Sequence, residues 1–271
     1  MVSIWPGNTR CVVSLTFDVD GVSGFINRIP DATKMPTLMS MGEYGPSIAL
    51  PRILELLGRE DIHATFFTPG YVIDTHIDLI GKIVDSGHEV AHHGYMHEPP
   101  YTLTPKEEME VLVKGIESIH RATGSNPQGY RSPAWELSEH TLGYLVDLGF
   151  MYDSSLMNDD APSLLNVSGK RLVELPIHWV LDDAVYFSYV PMRNRVSPML
   201  NPEAVFEVWK AEFDGIYRYG RYFNLTMHPY LIGRPGRLLM LEKMIAYIKS
   251  FTGVAFLKCH EVADLFNANN R

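Results

Sequence analysis

Cysteine is nearly absent: Cys11 and Cys259 are the only two in 271 residues. That count excludes a disulfide framework, and nothing here demands an oxidising compartment. Cys11 lies in an apolar run and reads as a small buried side chain. No apolar stretch approaches the roughly 18 residues of a membrane span. There is no excess of positive charge; the net charge of −9 and the pI near 5.6 argue against nucleic acid or an anionic membrane as partner. The first residues, Met1-Val2-Ser3-Ile4-Trp5-Pro6, lack the basic segment and apolar stretch of a secretory signal, so a cytoplasmic location is expected. No linker, low-complexity tract, charge block or short-period repeat interrupts the chain, and residues 1–271 read as a single domain.

What is present is an alternation of strand-like and helix-like segments. Cys11–Phe17, His63–Thr68, Glu89–His92, Gly129–Arg131, a segment near Met151, Val173–Pro176, Tyr222–Met227 and Val254–Lys258 read as strands. Between them, Ala49–Arg59, Asp78–Asp85, a segment capped at Thr104 with Glu107 completing a capping box, Ser138–Leu148, Pro202–Tyr217 and Arg237–Ser250 carry helical spacing. Such alternation predicts parallel strands joined by right-handed crossovers. Without a Gly-x-Gly-x-x-Gly turn, a closed or distorted β/α barrel is expected over a dinucleotide-binding sheet. In such barrels chemistry sits where strands end, and Asp18, Asp20, His93, Arg131 and His228 all fall there.

Asp18 and Asp20, two apart, point to one face of an extended chain. Two buried carboxylates repel unless a cation or proton intervenes. A metal bound by one resolves this and leaves the other as general base; aspartates capping a solvated turn before Gly21 account for the same residues. His93 and His97, four apart, share a face if the segment turns helically, and can then share a metal. His88 and His92 have the same spacing, but the strand Glu89–His92 leaves His93 and His97 at its end. His228, before Pro229, suits a general acid; Arg131 suits a partner for Asp18. Tyr95, Trp135, Trp179 and Tyr230 flank these points and can wall a pocket, though core packing explains them equally well.

These residues together resemble the polysaccharide deacetylases, carbohydrate esterase family four, also called the NodB-homology fold. Thr16-Phe17-Asp18-Val19-Asp20 is similar to that family's first motif, His93-Gly94-Tyr95-Met96-His97 to its His-x-x-x-His motif, Arg131-Ser132-Pro133 to Arg-x-Pro, and Leu225-Thr226-Met227-His228 to Leu-x-His. His63–Gly70, Gly87–Glu98, Ser154–Met157 and Leu175–Asp183 resemble an intracellular branch of peptidoglycan-deacetylase-like proteins. Cyclic imide hydrolases belong to that branch, and metal-independent allantoinases are its relatives. The resemblance implies a distorted (β/α)7 barrel and a homo-oligomer, dimer or tetramer. It implies Asp20, His93 and His97 as ligands of Zn2+ or another divalent cation such as Co2+, Asp18 as base, His228 as acid and Arg131 as the residue orienting Asp18. Val19 separates the two aspartates where the larger family has them adjacent, which shifts expectations about substrate.

The expected activity is metal-dependent hydrolysis of a non-peptide amide, N-deacetylation of an N-acetylated sugar. A small cytosolic cyclic imide or ureide is weighed beside it, because the segment Phe25–Pro46 has the length to cover the barrel end. A non-catalytic metal or ligand-binding module is the reading of another class. Whether His178 or Asp182 enters the pocket is open from sequence.

Overall fold

The computed structural model describes residues 3–190 and 199–269. Its nine strands are β1 Cys11–Asp18, β2 Thr65–Thr68, β3 Glu89–His92, β4 Gly129–Tyr130, β5 Tyr152–Asp153, β6 Ser163–Val167, β7 Lys170–Glu174, β8 Tyr222–Met227 and β9 Val254–Phe256. They form one sheet in the order β6-β7-β5-β4-β3-β2-β1-β8, with β9 paired to β1 off that path. All pairings are parallel except the hairpin of β6 and β7. The parallel strands from β7 to β8 are the seven of a distorted (β/α)7 barrel that does not close. Between β7 and β8 a single bridge, Asp182 with Thr226, and a 3.2 Å bond from Asn224 Nδ2 to the Pro176 carbonyl span the seam.

Strand β1 shows why the sequence folds this way. Val13, Leu15 and Phe17 alternate with Ser14, Thr16 and Asp18, and all are buried. The first set joins the apolar layer with Leu50, Ile53 and Leu57 of the helix Leu50–Arg59, and with Phe213, Leu241 and Ile245 of the helices Pro202–Tyr219 and Pro235–Lys249. Each such side chain contributes roughly 1.5–3 kcal/mol by leaving water. The second set faces the barrel interior, which is polar: Ser14 Oγ donates to the Leu257 carbonyl at 2.7 Å and Thr16 Oγ1 to the Leu225 carbonyl at 2.9 Å. The two-residue period of a strand therefore delivers Asp18 to the inside of the barrel at its C-terminal rim.

The capping box is formed: Glu107 N donates to Thr104 Oγ1 at 3.4 Å, and Thr104 N to Glu107 Oε2 at 2.8 Å. Other boundaries differ from expectation. Ser138 lies ahead of its helix, Thr141–Asp147, and its hydroxyl takes the backbone N–H of His140 at 3.0 Å and of Thr141 at 3.2 Å. The strand expected at Val173–Pro176 is Lys170–Glu174, and its partner β6 has no counterpart in the sequence reading. Ser163–Val167 is a half-exposed edge strand with no clean apolar alternation, which hides it from pattern reading. No helix among the described residues is long and apolar enough to cross a membrane.

The segment Phe25–Pro46 folds into short helices, including Ser23–Ile26 and Pro36–Tyr44. A π-helical turn, Gly45–Ala49, joins the latter to Leu50–Arg59. Pro46, inside the wide turn, and Pro51, just after it, have no N–H to donate to the helical ladder. The segment packs tightly on the loop after Asp20. A Cβ on Gly42 would lie 2.6 Å from the Gly21 carbonyl oxygen, so no larger residue fits without movement.

A candidate metal and hydrolytic site at the strand ends

Asp18 ends β1, and Asp20 follows on the adjoining turn. Asp18 Oδ1 accepts from Arg131 Nη1 at 2.8 Å, and Oδ2 lies 3.9 Å from His93 Nε2. The Arg131 side chain is wholly buried in the barrel interior. There Nη1 also donates to Thr16 Oγ1 at 2.9 Å, Nη2 to Ser154 Oγ at 3.1 Å and Nε to the Ser154 carbonyl at 3.2 Å. The guanidinium lies 4.0 Å from the centre of the Phe67 ring. A buried charge held on so many sides fixes one oxygen of Asp18 and leaves the other toward the histidines.

His93 and His97 come together, but not by the helical turn expected. Residues 93–98 form a loop in which Gly94 and His97 both adopt left-handed backbone, φ 73° and 60°. Glu98 Oε2 holds that loop by accepting from Tyr95 N at 3.1 Å and Met96 N at 2.7 Å. The two rings end 4.9 Å apart and nearly perpendicular. Left-handed backbone at a non-glycine residue costs about 1 kcal/mol or more. At His97 the bond from Asn27 Nδ2 to its carbonyl, 2.9 Å, helps to hold it. The remaining histidines of the cluster serve the backbone: His88 Nδ1 accepts from Ala64 N at 3.1 Å, while His92 donates to the Leu112 carbonyl at 3.0 Å and accepts from Gly94 N at 3.2 Å.

Asp20, His93 and His97 offer ligand atoms within 4.8 Å of one another, all buried. Asp20 Oδ1 lies 3.5 Å from His93 Nε2, and Oδ2 lies 3.3 Å from His97 Nε2. Two further observations fit a cation here. Asp20 Oδ1 is buried without a hydrogen-bond partner, a costly state for a carboxylate oxygen. His93 Nδ1 meets the Arg131 carbonyl at 2.7 Å, which directs Nε2 and its lone pair at the cluster. Burial drives His97 well below the usual histidine range, Asp20 opposing and Arg28 adding to the effect; a neutral imidazole is the ligating form. For Asp20 burial acts to raise the pKa, but the surrounding histidines, His97 foremost, outweigh it and hold the carboxyl below its ordinary range.

His228 follows β8 and faces this cluster, Nε2 lying 4.0 Å from Asp20 Oδ2. Its Nδ1 is 2.7 Å from Asp183 Oδ1, and its backbone N–H donates to both Asp183 oxygens, at 3.1 and 3.0 Å. Burial disfavours the charged ring, yet Asp183, with Asp182 and Asp20 adding, raises His228 well above the usual histidine range. Asp182 borders the same ring at 3.6 Å and caps the turn by accepting from Ala184 N at 2.8 Å. Burial pushes its pKa up to about 7, against the pull of His228 and with the help of Asp183. Asp183 is the residue that sequence reasoning missed. The only signal was a pair of adjacent carboxylates in an otherwise apolar stretch, Val180 to Val185.

Asp20, Gly24, Phe25, Arg28, Ala184, Ser188, His228 and Tyr230 enclose a cavity of about 60 Å³. The Phe25–Pro46 segment thus forms one wall of the site, and Tyr230 another. Trp135 and Trp179 stack on each other at 4.3 Å, Trp135 buried and Trp179 46% exposed, and do not line this cavity. Tyr95 points away: its ring receives Lys114 Nζ at 3.7 Å and its hydroxyl bonds Asp74 Oδ2 at 3.2 Å, because the left-handed Gly94 turns the chain toward the helix Pro105–Thr123. His178 lines a different cavity, of about 350 Å³, at the open seam of the barrel.

Three comparisons relate this chain to known proteins. The family model for polysaccharide deacetylase matches residues 7–152. The peptidoglycan deacetylase of Helicobacter pylori is 34% identical over 285 residues, covering 96% of this chain and 97% of its own. Among solved structures, a Mycobacterium smegmatis protein assigned to the polysaccharide deacetylases superposes with a TM-score of 0.95 at 38% identity, covering 99% of this chain and 94% of its own. Puue allantoinase superposes with a TM-score of 0.82 at 27% identity, covering 97% of this chain and 92% of its own. With the family model spanning more than half of the sequence and a relative this similar along nearly all of it, the chain belongs to the polysaccharide deacetylase family.

Proposed function

We propose that this hydrolase of non-peptide carbon–nitrogen bonds removes the acetyl group from an N-acetylated amino sugar, with Asp18 as base, His228 as acid and Asp20, His93 and His97 as metal ligands. The observation that carries the reading is the convergence of these five side chains, each from a different position in the chain, at one end of the barrel. The relative named peptidoglycan deacetylase supports the sugar as substrate class.

Two imidazoles and one carboxylate form a donor set suited to zinc, with cobalt as a substitute. A divalent ion held there supplies a Lewis acid and water acidified toward neutral pH. Arg131 ties one oxygen of Asp18, so the other, which faces His93, is left to take a proton. His228 Nε2 faces the cavity, and its Nδ1 is committed to Asp183. A proton on Nε2 is therefore available to the departing nitrogen. Loss of that proton, as pH rises, sets the alkaline limb of the rate profile. Asp183 holds the proton on His228 to higher pH, so Asp183→Asn will move the alkaline limb of kcat/KM to lower pH and reduce kcat by up to about 100-fold. A limb that stays where it was in the wild type excludes His228 as the acid.

The size of the cavity, about 60 Å³, favours a second reading, a small cyclic imide or ureide. Ligand pockets commonly measure about 300–1,000 Å³, so a glycan needs the Phe25–Pro46 wall to shift outward. The decisive measurement sets acetate release from N-acetylglucosamine oligomers against ring opening of succinimide, hydantoin and allantoin, with His228→Asn as the inactive control. Acetate release is the expected result; ring opening without acetate release overturns the deacetylase reading in favour of the second.

A further inference from the structure

The two histidines of the cluster have opposite surroundings. Nδ1 of His93 meets a backbone carbonyl, that of Arg131, at 2.7 Å. Nδ1 of His97 instead lies 3.0 Å from Arg28 Nη2, which is also 3.4 Å from Nε2 of the same ring. An imidazole that ligates a metal through one nitrogen normally donates the N–H of the other to an acceptor. His93 has that acceptor. The neighbour of His97 is a guanidinium, which carries donors only and a permanent positive charge. In the ion-bound geometry a donor would face a donor, and a divalent cation would lie a few ångströms from a fixed cation in a buried, weakly screened place. The backbone brings the two residues together firmly, since Asn27, next to Arg28, donates to the His97 carbonyl at 2.9 Å. Arg28 also lines the cavity with Asp20, His228 and Tyr230, so a guanidinium turned away from His97 stays inside the site.

We propose that Arg28 is a positioning residue that sets the metal affinity of the Asp20–His93–His97 cluster, its guanidinium and the ion competing for His97. The proposal rests on the reading of that cluster as a metal site. It gives the Phe25–Pro46 segment a second task beyond covering the barrel end: carrying a charge that weakens metal binding and that the bound ion turns toward the substrate cavity.

The test is the dissociation constant for Zn2+ and for Co2+, measured by chelator competition on metal-stripped wild type, Arg28→Met and Arg28→Lys. Arg28→Met keeps much of the stem and removes the charge and the donors; about tenfold tighter binding is expected, the lower end of what an outer partner of a ligating histidine carries. Arg28→Lys retains the charge and is expected within about threefold of wild type. The visible absorption of the Co2+ forms will show the change in coordination independently of activity. Unchanged or weaker binding by Arg28→Met overturns the proposal while the metal site stands. A wild-type protein that binds neither ion overturns the metal site and the proposal together, so the two failures are distinguishable.

Discussion

Asp20→Asn will purify folded, without its divalent ion, and with no turnover above background. Asp20 is the only carboxylate of the three-ligand cluster, and each of its oxygens faces one of the two histidines. Conversion to the amide removes the one negative charge among the three proposed ligands. Outer partners of metal ligands are worth about 10–100-fold in affinity, and a charged ligand carries more. Folding should survive, because Oδ1 has no hydrogen-bond partner to lose and the side chain lies at the edge of the cavity, outside the apolar layer. Metal content by elemental analysis and the unfolding midpoint separate the two effects. Full occupancy in the variant means that Asp18, not Asp20, is the ligand and exchanges roles with it. A large loss of stability instead points to a structural place for Asp20.

Arg131→Met will be the most destabilising single change at this site, by about 3–5 kcal/mol, because it leaves the Asp18 carboxylate buried and unpaired. The pair lies 2.8 Å apart, with side chains exposed by 0% and 2%. At the few degrees per kcal/mol typical of this size, the melting midpoint should fall by about 10 °C. Thr16 and Ser154 lose their donor as well. A double variant, Asp18→Asn with Arg131→Met, should regain part of the stability while remaining inactive, since the stranded charge is then gone. A single variant within about 1 kcal/mol of wild type would mean that water or a neighbouring donor compensates Asp18, and that Arg131 acts on catalysis alone.

Much of this site was legible from short-range pattern. The apolar alternation of β1 places Asp18 on the inward face, and the strand Glu89–His92 leaves His93 and His97 beyond its end. The partnership of Arg131 with Asp18 followed from charge and position at matching strand ends. What failed did so for reasons of the same kind. The five residues from His93 to His97 carry helical spacing, but Gly94 and His97 take left-handed backbone under the grip of Glu98 and Asn27, and no local pattern reports that grip. Tyr95, Trp135 and Trp179 flank site residues in sequence, which suits a pocket wall and core packing equally; the fold turns Tyr95 to Asp74 and stacks the two tryptophans on each other, because neighbouring side chains on a turning loop point in different directions.

By itself, then, the sequence carried the alternation of strands and helices, which depends on residue type and on periods of two to four residues, and, through motifs that resemble a known family, the metal-ligating and acid–base candidates. Only the tertiary structure decided that Asp183 backs His228, that the barrel stays open between β7 and β8, and that a helical segment brings Arg28 against His97. Each of those is a contact between segments 45 residues or more apart, or a ladder that fails to form. Such contacts follow from how whole elements pack, a property of the folded chain that no stretch of it carries alone.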